Sequence, residues 1–192
     1  MARAGLTAEV LTRAAAELAD EIGFDNLTAA ALARHFGVRD ASLYSHVRSL
    51  GELRLRVAER TFHELADQVT AAIAGLAGRE ALAAFAGVYR RFATDHPGRY
   101  ASMRIEIEPG SSAALAAARH AHLSRAVLRS YALGEPAETD AVRLLNSTLH
   151  GFADLEIAGG FSHSARSAED SWVAVLAALD AVLTHWPTAA SS

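Results

Sequence analysis

Between Arg39 and Arg48 the chain sets six side chains able to contact a polyanion or read a base edge, namely Arg39, Ser42, Tyr44, Ser45, His46 and Arg48, with the small Ala41 among them. A guanidinium such as that of Arg39 can fork onto the O6 and N7 of guanine, a methyl such as that of Ala41 can touch the thymine methyl, and Ser42 and Ser45 can bond bases or phosphates. Tyr44, His46 and Arg48 offer donors at phosphate height. This chemistry needs one exposed face of a helix, held at the right angle by a second helix. The preceding residues supply that mount. In Thr28–Val47, TAAALARHFGVRDASLYSHV, Ala33 is a small residue for a close helix crossing, and Gly37 can take the positive φ of a tight turn. Leu32, Phe36, Val38, Leu43 and Val47 provide the apolar underside. The pattern is that of a helix-turn-helix, whose second helix enters the major groove of double-stranded DNA. Corners with an Ala and a Gly also occur in all-helical proteins of other function, and a polar face is often only a solvated one, so spacing alone leaves both readings open.

A second group lies farther along. Phe85, Val88, Tyr89 and Phe92 fall at i, i+3, i+4 and i+7, an apolar helical stripe carrying one phenol. Asn146, His150 and Asp154 share one face of an otherwise apolar helix, and polar groups there need partners. They either bond one another and solvent or meet the polar end of a ligand. His120, His122, His150 and Asp154 could be considered for a metal, but His-x-His on a helix points the two rings apart, so no metal site and no cofactor is expected. No GxSxG, HExxH or phosphate-binding glycine loop is present, and no cysteine occurs, so the sequence carries no enzyme signature.

The elements that must position these residues are helices throughout, an all-α reading with nine of them. Apolar residues recur at three and four, β-branched alternation is absent, and the breaks are explicit. Thr7 caps the first helix, which runs to Ile22, and Thr28 caps the second, which ends at Phe36-Gly37. A third covers Arg39 to His46. Ser49 and Glu52 form a capping box that opens a long fourth helix to Ile73. Helices follow over Arg79–Thr94, Gly98–Ile107, Ser111–Tyr131 and Pro136–Ala158, and the last, boxed by Ser167 and Asp170, reaches Trp186. Residues 1–48 then form a DNA-binding domain, 49–187 a ligand-binding and dimerisation domain, and 188–192 a frayed tail.

With 192 residues, 51% of them hydrophobic, the chain can bury a sizeable core and is not intrinsically disordered. The net charge of -4 argues against an indiscriminate nucleic-acid coat, and every basic residue is Arg. The acidic excess sits behind residue 60, leaving the helix-turn-helix region neutral with a modest basic stretch from Arg34 to Arg60. No stretch is apolar enough to span a membrane and no signal-peptide pattern opens the chain, which reads as cytoplasmic.

The order of a capped first helix, LARHFGV, SLYSHV and a capped long helix, over about residues 6–60, resembles the N-terminal domain of TetR-family transcriptional regulators, in which LYxHF is the recurrent signature. The resemblance implies phosphate contact by Thr28, Tyr44 and His46 and base reading by Arg39, Ala41 and Ser42. Two departures stand out. Leu50 occupies the place of the Lys that usually grips phosphate at the start of the fourth helix, with Arg48 a candidate substitute, and Val47 replaces an aromatic. Farther on, LHGFADLEIAGGF over Leu149–Phe161 resembles the His-Gly element of one TetR subgroup. The family encloses an apolar ligand between its fourth and eighth helices, which implies a cavity among Phe85, Tyr89, Phe92, Met103, Leu123, Val127, Asn146 and His150.

Trp172, Leu176, Leu179, Leu183 and Trp186 form one stripe of the last helix, while Ala174, Ala177, Ala178 and Ala181 make a smooth second face. The preceding helix is likewise apolar on more than one side, through Val142, Leu145, Leu149, Phe152 and Leu155. Two usable faces suit one core and one symmetry mate, a homodimer through the last two helices. The expected function is a ligand-responsive repressor that binds a palindromic operator as a dimer and is released by a small apolar molecule. The alternative is a helical ligand-binding or interaction protein without effective DNA binding.

Overall fold

The computed structural model describes residues 6–187, so the expected frayed tail at 188–192 lies outside the described residues. Among them are nine α-helices and no strand: α1 (Ala8–Ile22), α2 (Ala29–Phe36), α3 (Asp40–Leu43), α4 (Leu50–Ile73), α5 (Gly78–Asp95), α6 (Pro97–Ser102), α7 (Ser112–Leu128), α8 (Ala137–Ile157) and α9 (Ala168–Thr184). The four expected caps are in place. The hydroxyls of Thr7, Thr28 and Ser167 accept from the N–H groups of Val10, Ala31 and Asp170 at 3.1, 3.1 and 3.0 Å. At α4 the Ser49 hydroxyl accepts from the Glu52 N–H (3.0 Å), and the Glu52 carboxylate accepts from the Arg48 N–H (2.8 Å). Helix starts are therefore set locally, by side chains that satisfy the first free N–H groups.

Several helix ends fall short of the sequence expectation, the seventh at Leu128 with a 3-10 turn to Tyr131 and the last at Thr184 among them. The third stops at Leu43 instead of His46, and residues 44–46 continue as a turn in which the His46 N–H reaches the Leu43 carbonyl (3.0 Å). The sixth stops at Ser102 instead of Ile107. Met103, Arg104 and Ile105 donate to carbonyls three residues back, a tightened last turn, before the chain approaches Pro109 through Ile105 and Ile107.

The chain divides into two compact units. The first comprises the residues up to Glu64 together with Asp95–Ala118, so it takes in α1 to α3, most of α4, α6 and the start of α7. Its core of Leu11, Ala15, Ala19, Leu27, Leu32, Leu43, Leu53 and Val57 is almost completely closed to solvent. Helix α6 lies against α1 with no room between them. A Cβ on Gly98 would stand 1.8 Å from the Ala19 carbonyl oxygen, so only glycine fits there. Asp20 then accepts from both the backbone N–H (2.8 Å) and Nε (2.7 Å) of Arg99, whose other arm donates to Glu64 on α4 (3.0 Å).

The second unit comprises Leu65–Thr94 and the residues from Arg119 onward. Phe85, Tyr89 and Phe92 of α5, Leu145 and Leu149 of α8, and Trp172, Leu179 and Leu183 of α9 are buried in it. Arg90 joins these three helices: it donates twice to Glu156 (2.7 and 2.6 Å), pairs with Glu169, and lies over the rings of Phe152 and Trp172 at 5.6 and 5.2 Å. One half-buried cation thus satisfies two carboxylates and covers two aromatic faces.

Candidate nucleic-acid interface and interior polar cluster

The helix-turn-helix corner is closed by backbone bonds that require Gly37. Its φ of +64° and ψ of 33° place it in the left-handed region, where its N–H returns to the Arg34 carbonyl (3.2 Å) and the Val38 N–H to that of Ala33 (3.0 Å). This pair of bonds is the Schellman closure of a helix end. Arg54 of α4 fastens the other side, donating to the carbonyls of Asp25 (2.9 Å) and Leu27 (3.0 Å) in the turn before Thr28, with its cation 5.4 Å from the Phe24 ring.

On this mount Arg39, Ala41, Ser42, Tyr44, Ser45 and Arg48 are exposed, Thr28 is exposed at the start of α2, and His46 is half-buried. Leu43 and Val47 point the opposite way, 3% and 5% exposed, so a single turn of helix divides cleanly into an anchoring side and a presenting side. Thr28 uses an oxygen lone pair for its cap and keeps its proton to donate. Ser45 differs, because its hydroxyl donates to the Ser42 carbonyl at 2.7 Å and is committed to the backbone. Arg48 projects with 93% of its side chain exposed, tethered to Glu52 by one contact of 3.4 Å. Hydrogen bonds from the Arg48 N–H and from Arg56 hold the Glu52 carboxyl below its ordinary pKa. The two departures from the family pattern face inward: Leu50 and Val47 both pack on the core of the unit.

The second unit gathers most of the other expected site residues. Phe85, Tyr89, Phe92 and Val127 are buried, and Leu123, Asn146 and His150 are half-buried. Met103 is the exception in this set: it is half-buried in the first unit, after the end of α6. Around Tyr89 the polar groups converge. Its hydroxyl lies 3.3 Å from His120 Nδ1, its ring meets the edges of His120 and His150 at centroid distances of 5.1 and 5.7 Å, and Phe85 packs on it at 5.0 Å. One turn along α7, the buried Ser124 hydroxyl donates to Asn146 Oδ1 (3.3 Å). Burial, with the nearby His150 as a second cause, pushes the His120 pKa down to about 4. His120 is therefore neutral at pH 7.

Sequence reasoning weighs His120 only as a metal ligand and passes over Ser124, because α7 carries too many alanines for a polar face to stand out. It also misses Gly98 and Arg99. Pro97-Gly98 reads as a helix break, and nothing in one segment reveals that another helix lies against it. Among the described residues no group of three or more His, Asp or Glu side chains could hold a metal ion, and no helix is long and apolar enough to cross a membrane.

Comparison with known proteins assigns both halves. Residues 11–64 match the family described as bacterial regulatory proteins, tetR family, and residues 82–179 match the tetracyclin repressor-like C-terminal domain. The HTH-type transcriptional regulator Rv0681 of Mycobacterium tuberculosis is 38% identical over 159 residues, 81% of this chain and 72% of that protein. The chain belongs to the TetR family. A second HTH-type regulator of this kind, YobS of Bacillus subtilis, is 30% identical over 153 residues, 80% of each chain. In structure, a TetR variant from Acinetobacter baumannii AYE in complex with minocycline superposes with a TM-score of 0.65 at 19% identity, covering 97% of this chain and 99% of that one, which shows the shared fold. This TetR-family protein is thus a DNA-binding transcriptional regulator, and its family is regulatory, not enzymatic.

Proposed function

We propose that this TetR-family protein is an effector-responsive repressor that acts in the cytoplasm, binding a two-fold symmetric operator as a homodimer and leaving it when a small, largely apolar molecule enters the second unit. The observation that carries the reading is the exposed polar face from Arg39 to Arg48, anchored from behind by the buried Leu43 and Val47. On this reading Arg39, Ala41 and Ser42 meet base edges, and Thr28, Tyr44, Ser45, His46 and Arg48 meet phosphates or flank them. Residues 1–48 read DNA and 49–187 bind effector and partner. The apolar side chains left exposed on the last two helices, Leu144, Leu155, Ile157, Val173 and Val182, together with the exposed Ala178 and Ala181, support a face for a second copy.

The effector, on the same reading, meets Tyr89, Asn146 and His150 with the apolar Phe85, Phe92, Leu123 and Val127. It releases DNA only if it binds the DNA-incompetent state more tightly. Helix α4, which begins just after the recognition segment and runs on past Glu64, is the continuous element available to carry that preference. Fluorescence anisotropy with DNA flanking the reading frame tests the proposal. Saturable binding at fixed salt, with a dimer by light scattering that Ala178→Glu splits, is the expected outcome; a monomer without affinity for any flanking segment would sink it. The alternative, a ligand-binding or interaction protein without effective DNA binding, draws support from Leu50, which packs inward where the family's Lys would grip phosphate.

A further inference from the structure

We infer that the second unit carries a further ligand site, apart from the cluster around Tyr89, that takes an apolar amine: a hydrocarbon body with one ammonium head. The site is a cleft of about 460 Å³ bounded by the turn after α7, the start of α8 and the chain just past the end of α9, all within the second unit. That volume falls in the range of small-molecule sites, roughly 300 to 1,000 Å³. Leu133, Pro136, Pro187 and the half-buried Trp186 give it apolar walls, and among the described residues that line it Asp140 is the charged one. The turn that forms one wall is fixed in place. Tyr131 donates from its hydroxyl to Asp180 of α9 (2.7 Å), and Ala132, next in the chain, stands at φ +52° and ψ 36°, a left-handed conformation that a residue other than glycine keeps only where its surroundings impose it.

The polar groups around the cleft select the charge of the head. The Ala132 N–H is bonded to the Arg129 carbonyl (3.2 Å), and those of Glu138 and Asp140 to the carbonyls of Gly134 (3.0 Å) and Pro136 (3.2 Å), while the two prolines have no N–H to offer. The Asp140 carboxylate only accepts. Its two acidic neighbours already hold a guanidinium closely, because Arg125 reaches Glu135 at 3.0 Å and Glu138 at 3.2 Å. Asp140 is met by Arg143 at 3.5 Å, with 75% of that arginine side chain in solvent, so its counterion is loosely held. An ammonium head therefore finds an acceptor whose partner is readily displaced, in a cleft that also presents an indole able to attract a cation over its face. A carboxylate head meets three acids within residues 135–140 and is repelled. A neutral head fits the same walls and gains nothing from Asp140.

Calorimetry on the full chain at pH 7 and low salt tests this with three probes that share one body: 4-phenylbutylamine, 4-phenyl-1-butanol and 4-phenylbutyrate. The amine is expected to bind about ten-fold more tightly than the alcohol, and the acid more weakly than either. Asp140→Asn should bring the amine down to the alcohol, and Trp186→Ala should weaken amine and alcohol together, while Tyr89→Phe changes neither. Trp186 also reports directly: the amine should shift the indole emission of the wild type and leave that of Trp186→Phe, in which the buried Trp172 remains, unmoved. Asp140 is exposed and Trp186 lies beyond the last turn of α9, so these variants should keep the far-ultraviolet dichroism of the wild type. An alcohol or acid that binds as tightly as the amine, a preference that survives Asp140→Asn, or amine binding lost in Tyr89→Phe would overturn the inference. So would a wild type that binds no amine; the cleft then belongs to a second copy if Trp186→Ala splits a dimer, or to residues 188–192 if removing them uncovers amine binding.

Discussion

In the helix-turn-helix head, Arg39, Ser42, Tyr44 and Arg48 come from ten consecutive residues, and their common direction is set by bonds that span three or four positions. In the second unit, Tyr89, His120, Asn146 and His150 come from three helices separated by tens of residues, and only packing brings them together. The first arrangement leaves solvent on every one of these side chains. The second is largely buried, and burial holds His120 neutral there. On the proposed reading, the DNA groove is met by groups that are already solvated and movable, and the small molecule by groups largely desolvated on folding.

Substitutions separate the two designs. The largest effect is expected at a position in neither: Gly98→Ala forces a methyl into the Ala19 carbonyl and should cost about 3 kcal/mol of stability, or displace α6 and lower operator affinity, read by chemical denaturation beside anisotropy. Unchanged stability and unchanged DNA binding would show that α6 is not held against α1.

The interior should next reveal itself through pH. His120 has a depressed folded-state pKa, so the unfolded chain binds more protons between the two values, and the stability it contributes to the neutral form is present above about pH 6.5 and lost as pH falls toward 4. Between pH 7 and 4.5 the wild type should lose roughly 2 to 3 kcal/mol more than His120→Gln. Parallel curves would place His120 in water. At the recognition surface Arg39→Ala should weaken operator binding by about 1 to 3 kcal/mol and relax one base position, with stability unchanged. Arg48→Ala should change stability by less than about 0.5 kcal/mol, its ion pair being exposed; a lower salt dependence of DNA binding in that variant would mark it as a phosphate contact.

The same contrast explains which features are legible in the sequence. Caps at Thr7, Thr28, Ser49 and Ser167 and the turn at Gly37 obey short-range rules, and each is found where its residue types put it. The exposed face of 39–48 follows from them. Sequence spacing overextends the ends of α3 and α6, because apolar positions continue past the point where regular bonding stops: Val47 is buried although it stands beyond the helix. The stripe of Phe85, Tyr89 and Phe92 is visible as periodicity, but the partners of Tyr89 are not, since no local rule links residue 89 to residue 120. Family resemblance groups Met103 with that stripe, and the contacts group it with the first unit instead.

Helix α3 is four residues long, and the side of it that meets the core is Leu43, with Val47 just beyond. The exposed side chains before them, Arg39, Ala41 and Ser42, can be exchanged with stability changes typically within about 0.5 kcal/mol, since they face solvent. On the proposed reading, recognition is written on a replaceable surface. If those side chains read the operator as proposed, a handful of codons suffices to retarget the chain while the scaffold beneath is left as it is.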